Sequence, residues 1–430
     1  MRFASVLCAC LLLPGVPHPA QAAEPAPTYL LRPDKVWTGD DSAAHAGWAV
    51  LVRDGTIAAV GDEARLQIPA DAQRIDLPGA TLTPGLIDLH SHLFLHPYDE
   101  ASWNDQVLVE PVDYRTVKAV QHARDTLLAG FTTLRDLGTE GAGYADASLK
   151  RAIDEDLIPG PHLLIATRAI VASSSYGPGP RGFRPDIELP RGAQEVSGSD
   201  EATRAVREQA GHGADWIKVY ADYRIGTDGS AQPTFTANEL HALVEAARLS
   251  GRPVAAHAAS DKGMRMAIEA GVDSIEHGNA GSSATFRLMR QRGVAYLPTL
   301  TAVESYQQYF NHYQPGQPPT PEMQEAERAF RAAHDAGVTI GCGSDVGVFR
   351  HGDNWREPAW MVRLGMTPTE ALHACTSVAA RILRQQDRIG RIAPGLRADL
   401  AAFAGDPGAR IEDLQHPVFV MKDGRVYRRP

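Results

Sequence analysis

The sequence predicts an α/β protein, a (β/α)8 TIM-like barrel inserted into a small β-sandwich that is built from both chain ends. Three observations lead to this fold class. Eight short apolar segments alternate with segments long enough for helices, which is the pattern of a (β/α)8 barrel. Hairpin patterns lie near both ends of the chain. The length of 430 residues accommodates one large barrel and an appended domain.

Each chain end carries two apolar stretches joined by an Asp-Gly turn, which is the signature of a β-hairpin. The N-terminal hairpin spans residues 49–60 and the C-terminal one spans residues 418–427. We expect the two ends to pair into one sandwich, so that everything between them is inserted into it. The predicted division is a signal peptide at 1–22, a sandwich at 23–82 plus 391–430, and the barrel at 83–390.

The middle of the chain supplies the barrel. Segments such as Tyr114–Ala129 and Ala237–Leu249 are predicted to be helices, and the second has Leu240, Leu243, Val244 and Ala247 on one face. Three long connections, at 94–111, 172–199 and 300–320, are predicted to be loops. The predicted barrel strands are Gly85–His92, Phe131–Asp136, His162–Val171, Trp216–Ala221, Pro253–Ala258, Ser274–Gly278, Val294–Thr299 and Val338–Gly343.

The first residues have the pattern of a secretory signal peptide. Arg2 provides a basic start, and Phe3–Val16 is mostly apolar but shorter than a membrane-spanning helix. The run Ala20–Ala23 then offers an Ala-x-Ala cleavage site. We therefore expect cleavage after Ala22 or Ala23 and export to the periplasm or out of the cell.

Net charge, apolar content and cysteine count argue against nucleic-acid binding, membrane association and a disulfide framework. The net charge of −10 argues against a broad electropositive surface for nucleic acid, so a small-molecule substrate is expected. After cleavage no apolar run is long enough to span a bilayer, and no membrane association is expected. Only Cys342 and Cys375 would remain, which excludes a disulfide framework. The sequence leaves open whether the chain forms a homo-oligomer.

The predicted strand ends carry residues suited to one shared site, because the C-terminal ends of barrel strands face a common cavity. His90 and His92 are two residues apart, so they point to the same side of a strand and can bind one cation. Lys218 lies between Ile217 and Val219, where an unpaired ammonium is costly. The full set is His90, His92, Lys218, His257, His277 and Asp345.

Several motifs support a comparison with one known family. They are Thr83–His92, Lys218, His257, His277, the Gly343-Ser344-Asp345 run and the closing Ile392–Leu400. Together they resemble the metal-dependent amidohydrolase superfamily, over essentially all of the mature chain. Because it has a lysine on the fourth predicted barrel strand, the chain resembles in particular the branch of Xaa-Pro dipeptidases, carboxypeptidase-like enzymes and ochratoxin-hydrolysing amidohydrolases.

The resemblance implies two divalent metal ions. By that resemblance His90, His92 and Asp345 hold the more buried ion, and His257 and His277 hold the second. Nitrogen and oxygen ligands favour zinc, and they are also compatible with cobalt or manganese.

The resemblance also implies that Lys218 carries carbon dioxide as a carbamate that bridges both ions. The carbamate supplies two oxygens and a negative charge between two dications. Asp345 is the implied catalytic residue that takes a proton from the attacking water and delivers it to the leaving nitrogen. His277 is predicted to be catalytic as well as a ligand. The implied activity is hydrolysis of an amide or peptide bond.

The substrate-binding residues are less well defined by the sequence. Related dipeptidases often carry a Gly-Gly-His element after strand three, where this chain has the run 172–177 without a histidine. Tyr176 or Tyr220 could take over the contact with the substrate carboxylate, or both could be packing residues.

The branch that the sequence resembles implies a small-molecule substrate that contains an amino acid with a free carboxylate and a bulky apolar side chain, in a dipeptide, N-acyl amino acid or ochratoxin-like amide. Two groups of loop residues agree with this expectation. Arg181, Arg184 and Arg224 lie in loops where a cation could meet a carboxylate. The 300–320 segment could cover an apolar group as a lid. Its aromatic residues are Tyr306, Tyr309, Phe310 and Tyr313.

Two alternatives remain from the sequence. One is a cyclic-amide or imidazolone hydrolase of the same superfamily. The imidazolone enzymes typically use one metal without the carboxylated lysine, so Lys218 argues against them. The other is a catalytically inactive binding scaffold, and the presence of all six ligand positions argues against it.

Overall fold

The computed structural model describes residues 27–430, so the predicted signal peptide at 1–22 lies outside the described residues. The architecture is α/β, with a barrel of parallel strands and surrounding helices, and a sheet made of strands from both chain ends. The fold class predicted from the sequence is therefore confirmed. The exact limits predicted for the two domains stay a prediction.

Strands from the two chain ends share one eight-stranded sheet. Its centre is the antiparallel pairing of Gln73–Pro84 with Leu400–Ala404, which joins the two ends. Leu31 and Val50 from the N-terminal part pack in one core with Phe419 from the C-terminal part. The other strands of the sheet are Tyr29–Val36, His45–Ala46, Trp48–Arg53, Thr56–Asp62, Pro417–Lys422 and Arg425–Arg428.

The two predicted Asp-Gly turns form and pack against each other. Asp54 and Gly55 both have positive φ, as do Asp423 and Gly424, which is the backbone of a two-residue hairpin turn. A Cβ atom at Gly424 would lie 2.8 Å from the Cα atom of Gly55. Glycine is therefore required at this contact for space as well as for backbone conformation.

Seven regular strands build most of the barrel, and all their pairings with neighbouring strands are parallel. The gap between the first and last strand is closed by single-residue bridges from Ile340 to Tyr296 and from Val346 to Ser91. The seven strands are Leu86–Ser91, Phe131–Asp136, His162–Ile165, Ile217–Tyr220, Val254–Ala258, Ser274–His277 and Ala295–Leu297.

Four short strands accompany the barrel. Ile170–Ala172 pairs with the strand Ile217–Tyr220 and with Gln194–Val196. Asp222–Tyr223 and Gln232–Pro233 form a small antiparallel hairpin directly after the strand that carries Lys218.

Two predicted strands differ from the structure. The segment His162–Val171 is broken, because Thr167 adopts a positive φ of 59° and its amide donates to Asp146 instead of to a neighbouring strand. The predicted strand Val338–Gly343 is wrong as a regular element. The amide of Cys342 donates to the carbonyl of Ala374 at the end of a helix, which leaves only an isolated bridge at Ile340.

The helices surround the barrel, and Ala237–Leu249 has the predicted limits. Thr236 and Glu239 form a reciprocal capping box at its start. Its predicted apolar face is buried. The other helices are Trp103–Leu108, Val112–Leu128, Ala145–Asp154, Gly198–Gly211, Asp261–Ala270, Ser283–Arg292, Leu300–Asn311, Pro321–Asp335, Arg356–Arg363, Pro368–Ala374 and Ser377–Ile382, with 3-10 turns at Glu63–Arg65 and Ile411–Gln415.

The predicted loop at 300–320 is largely helical, which is a correction. The helix Leu300–Asn311 starts there because the buried carboxylate of Glu357 accepts the amides of Leu300 and Thr301, at 3.0 and 2.8 Å. These are groups that a helix start leaves without partners. The predicted loop at 94–111 likewise contains the helix Trp103–Leu108.

Across residues 27–430, every helix is too short or too polar to cross a membrane. Cys342 and Cys375 are buried free thiols.

Candidate active site

The predicted metal ligands converge at the C-terminal ends of the barrel strands. The ring of His277 lies 5.2 Å from that of His90 and 4.5 Å from that of His257, measured between centroids. An oxygen of Asp345 lies 3.5 Å from Nε2 of His90 and 3.3 Å from Nε2 of His92. Ligand atoms of His90, His277 and Asp345 are close enough together to hold one ion.

Lys218 belongs to the same cluster. It lies two residues before Tyr220, whose ring stacks on His257 with 4.6 Å between centroids. Its Nζ atom lies 5.4 Å from the centre of the same Tyr220 ring. The structure therefore brings together all six residues that the sequence nominated.

Unusual backbone conformations place several of these side chains. His277 and Asp345 have positive φ values of 71° and 61°, and Thr299 has one of 51°. Such values are uncommon in residues with a Cβ atom and cluster at functional sites. The amide of Asp345 donates to the carbonyl of His90 at 2.8 Å, which joins the end of strand one to the segment that closes the barrel.

Three of the histidines are oriented by hydrogen bonds at their Nδ1 atoms. His90 Nδ1 bonds to Glu276 at 2.8 Å, His92 Nδ1 bonds to the carbonyl of Gly138 at 2.9 Å, and His277 Nδ1 bonds to Thr299 at 2.8 Å. Each bond leaves Nε2 as the available metal ligand, which is the usual arrangement around a metal-binding histidine.

Glu276 and Thr299 were not predicted from the sequence. Glu276 is fully buried and also accepts from Arg135 at 2.9 Å and from Ser274 at 2.6 Å. One signal was present, because Glu276 is a charged residue inside a short apolar strand next to His277. No comparable signal marked Thr299, since its partner comes from a strand 22 residues earlier.

The environment favours neutral ligands at several positions. Burial lowers the pKa of His277 to about 4 and holds those of His90 and His257 well below the usual range, so these imidazoles can bind a cation. Burial acts to raise the pKa of Asp345, but the neighbouring imidazoles of His90 and His92 hold it well below the usual range of a carboxyl group.

The surroundings of the buried Lys218 amine indicate whether these residues suit a metal centre. Lys218 is 1% exposed, and its Nζ atom has no hydrogen-bond partner among the described residues. Burial lowers the pKa of this amine to about 8, although the charges of Glu276 and Asp345 act to raise it. An amine left without a partner among four histidines and a carboxylate fits a site for divalent cations with a modified lysine.

A cavity of about 920 Å³ opens above this cluster. Its size is within the range of small-molecule sites. Aromatic side chains form much of its wall, among them Tyr98, Trp103, Tyr176, Tyr220, Tyr223 and Tyr306.

Tyr176 and Tyr220, the two predicted substrate-binding residues, line the cavity, but their hydroxyls meet an internal carboxylate. Tyr176 donates to Glu140 at 2.6 Å, and the hydroxyl of Tyr220 lies 3.3 Å from the other oxygen of Glu140. Trp103 also donates to Glu140, at 3.0 Å. Glu140 was not predicted from the sequence; it is 3% exposed and has a positive φ of 47°, in a segment where Gly138 and Gly141 also have positive φ.

Of the loop residues predicted to bind substrate, some line the cavity and others do not. Arg224 and Tyr306 line the cavity, and the guanidinium of Arg224 lies 5.9 Å from the centre of the Tyr306 ring. Arg184 instead pairs with Asp186, and both are well exposed. The remaining candidates, Arg181, Tyr309, Phe310 and Tyr313, are not among the residues that line the cavity.

Comparison with known proteins agrees with this geometry. The model of the amidohydrolase family matches residues 81–428. An uncharacterised protein of Mycobacterium tuberculosis is 30% identical over 360 residues, which are 81% of this chain and 86% of that protein. Ochratoxinase of Aspergillus niger is 28% identical over 412 residues, 89% of this chain and 83% of the fungal protein.

A solved structure extends the similarity to three dimensions. The crystal structure of a Xaa-Pro dipeptidase with bound methionine superposes with a TM-score of 0.83 and 31% identity, covering 93% of this chain and 100% of the dipeptidase chain. The chain therefore belongs to the amidohydrolase family and is a hydrolase that acts on amide bonds.

Proposed function

We propose that this hydrolase uses two metal ions to cleave the amide or peptide bond of a small substrate with a C-terminal amino acid carboxylate. A dipeptide, an N-acyl amino acid or an ochratoxin-like amide has this form. One observation carries the proposal: four histidines, a carboxylate and a buried amine that has no hydrogen-bond partner within residues 27–430 meet at one end of the barrel, beneath a cavity.

The ligands divide between two ions as the family resemblance implies. His90, His92 and Asp345 would hold one ion, and His257 and His277 would hold the other. When bound, divalent ions such as zinc supply Lewis acidity and an activated water nucleophile. Metal dependence is general in the family, whereas the number and identity of the ions are part of the proposal.

Lys218 would be carboxylated. Its neutral Nζ atom would form a bond to the carbon of carbon dioxide and lose one proton, which gives a carbamate with two oxygens and one negative charge. Its buried, apolar position disfavours the ammonium form and accounts for the absence of a hydrogen-bond partner among the described residues.

Asp345 would move the proton. Its carboxylate lies 3.5 Å from Nε2 of His90 and 3.3 Å from Nε2 of His92, at the centre of the ligand cluster, where it would accept the proton released as water attacks the amide carbon. The same proton would then go to the leaving nitrogen. His277 stays a predicted catalytic residue, because Thr299 fixes its ring with Nε2 free.

The relatives support the type of substrate. The names ochratoxinase and Xaa-Pro dipeptidase describe enzymes that act on ochratoxin and on Xaa-Pro dipeptides. The aromatic wall of the cavity suits an apolar group on either side of the cleaved bond.

A hydrolysis screen would test the proposal. Zinc-loaded protein would be incubated in bicarbonate with dipeptides, N-acyl amino acids and cyclic amides, and the products would be followed by mass spectrometry. We expect release of amino acids from linear amides, with no activity in the Lys218→Ala variant. Cleavage of cyclic amides alone would favour the cyclic-amide alternative. Absence of turnover on every compound by metal-replete protein would favour a binding scaffold.

A further inference from the structure

We propose that Arg224 is the residue that recognises the substrate carboxylate, a specificity-determining contact that Tyr176 and Tyr220 do not provide. This inference rests on the proposed function, because it assumes an amide substrate with a free carboxylate. It follows from which polar groups of the cavity are already engaged and which are free.

The two tyrosines face an internal carboxylate. Tyr176 donates its hydroxyl hydrogen to Glu140 at 2.6 Å, and the Tyr220 hydroxyl lies 3.3 Å from Glu140 and 3.5 Å from the Tyr176 hydroxyl. A tyrosine hydroxyl has one hydrogen to donate. A substrate carboxylate placed here would find those hydrogens engaged and would lie next to the negative charge of Glu140.

Arg224 provides a positively charged hydrogen-bond donor, which the two tyrosines do not. It is the single arginine among the described residues that line the cavity, and no lysine lines it. Its guanidinium packs near Tyr306 at 5.9 Å, and no carboxylate of the described chain lies within 4.0 Å of it. A guanidinium presents several N–H donors in a fixed plane and can bind a carboxylate with two parallel hydrogen bonds.

The backbone holds Arg224 beside the reaction centre. It directly follows Tyr223, whose ring lies 5.9 Å from that of His257. Asp222 anchors this short hairpin by accepting the amides of Ala259 and Ser260 at 2.9 and 2.7 Å. Glu140 lies instead near His92, at 4.0 Å. Tyr223, the residue before Arg224, therefore lies on the His257 side of the site, whereas Glu140 lies near His92. The substrate carboxylate would lie on the side of His257.

The other two arginines that the sequence suggested for carboxylate binding do not line the cavity. Arg184 is paired with Asp186 through two hydrogen bonds and is largely exposed. Arg181 does not line the cavity. Arg184 therefore provides a matched control, since it is an arginine of the neighbouring loop whose loss leaves the cavity wall intact.

The test compares two substrates that differ only in charge, N-acetyl-phenylalanine and N-acetyl-phenylalaninamide. Zinc-loaded wild-type protein and the variants Arg224→Met, Arg224→Lys and Arg184→Met would be compared by kcat/KM for release of the acetyl group. Thermal unfolding midpoints would confirm that the variants are folded.

We expect the wild type and Arg184→Met to prefer the acid at least tenfold, which corresponds to about 1.4 kcal/mol. In Arg224→Met the preference should fall to within twofold of unity through a higher KM for the acid, with the amide unaffected. Arg224→Lys should retain part of the preference.

Other results would overturn the inference. A wild-type preference that survives in Arg224→Met would assign the carboxylate to another residue. Equal wild-type rates on acid and amide would refute carboxylate recognition while leaving amide hydrolysis intact. Failure of the proposed function itself would be distinct, because the wild type would then cleave neither compound nor any linear amide of the wider screen.

Discussion

Glu276 offers the sharpest test of how the chain prepares a histidine for metal binding. One of its oxygens accepts from Arg135 and Ser274, and the other bonds to Nδ1 of His90 at 2.8 Å. The substitution Glu276→Gln keeps the shape and replaces one oxygen by an NH₂ group. If the amide oxygen stays on Arg135, the NH₂ group faces Nδ1–H of His90, and two donors meet. If the oxygen turns to His90, the NH₂ group faces the buried guanidinium.

Either arrangement has a measurable cost. Breaking a buried ion pair on one side typically destabilises a protein by about 3–5 kcal/mol. Loss of a partner that orients a metal-binding histidine typically costs about 10–100-fold in metal affinity. His90 can relieve the clash by moving its proton to Nε2, but that tautomer cannot bind an ion through Nε2. We therefore expect Glu276→Gln to lower the free energy of unfolding in either arrangement. The affinity for zinc should also fall in both, because a neutral amide whose oxygen faces His90 is a weaker acceptor for Nδ1–H than the carboxylate.

Zinc affinity would be measured by competition with a chelating dye, and stability by urea unfolding of the metal-free protein. Glu304→Gln is the matched control. Glu304 is also buried and accepts from Arg356 at 2.6 Å and from Trp360 at 3.0 Å, but it contacts none of the predicted ligands. The control should lose stability and keep its zinc affinity. If Glu276→Gln kept zinc affinity within twofold of the wild type, the reasoning about His90 would be refuted.

Further predictions concern other parts of the chain. Lys218→Ala should be inactive, and a short-chain carboxylic acid with bicarbonate should partly restore turnover; full activity in that variant would exclude a carbamate. Asp345→Asn should lower kcat by about 10²–10⁴-fold with a smaller change in KM, because the amide cannot accept a proton, and near wild-type turnover would remove it from proton transfer. His122 and His351 stack at 4.1 Å, and burial lowers the pKa of His122 to about 4 and that of His351 well below its usual range. The folded state therefore binds fewer protons than the unfolded chain between about pH 6.5 and 4. The free energy of unfolding should fall over this range by up to about 1.4 kcal/mol per pH unit for each histidine. The variant His122→Asn should show a smaller dependence of the free energy of unfolding on pH, measured by urea unfolding. We also propose that the chain is exported, so N-terminal sequencing of the exported protein should start near Ala23 or Glu24 and not at Met1.

The strand ends were the part of the site that the sequence could predict. A barrel brings the C-terminal ends of its strands to one place, so a histidine or aspartate at the end of a strand can be assigned to a shared cavity without knowledge of distances. His90, His257 and His277 follow this rule, whereas Asp345 lies in a segment that closes the barrel only through isolated bridges. The turns at both chain ends were also predictable, because an Asp-Gly pair between apolar stretches has a strong local conformational preference.

Contacts that depend on long-range packing could not be predicted. Glu140 approaches Tyr176 and Tyr220 from segments 36 and 80 residues away. The helix at Leu300 depends on Glu357, 57 residues later in the chain. In both cases the decisive partner is distant in sequence, so the local pattern does not contain the information that selects it.

The most direct test of the central claim is the metal content of the protein reconstituted with zinc in bicarbonate buffer, measured by elemental analysis against protein concentration. Two dications require the bridging charge that a carboxylated Lys218 would supply, and the histidines and Asp345 provide the remaining ligands. We predict two zinc ions per chain in the active wild type and fewer than two in Lys218→Ala. One ion per chain at full activity, or two ions in both proteins, would contradict the account.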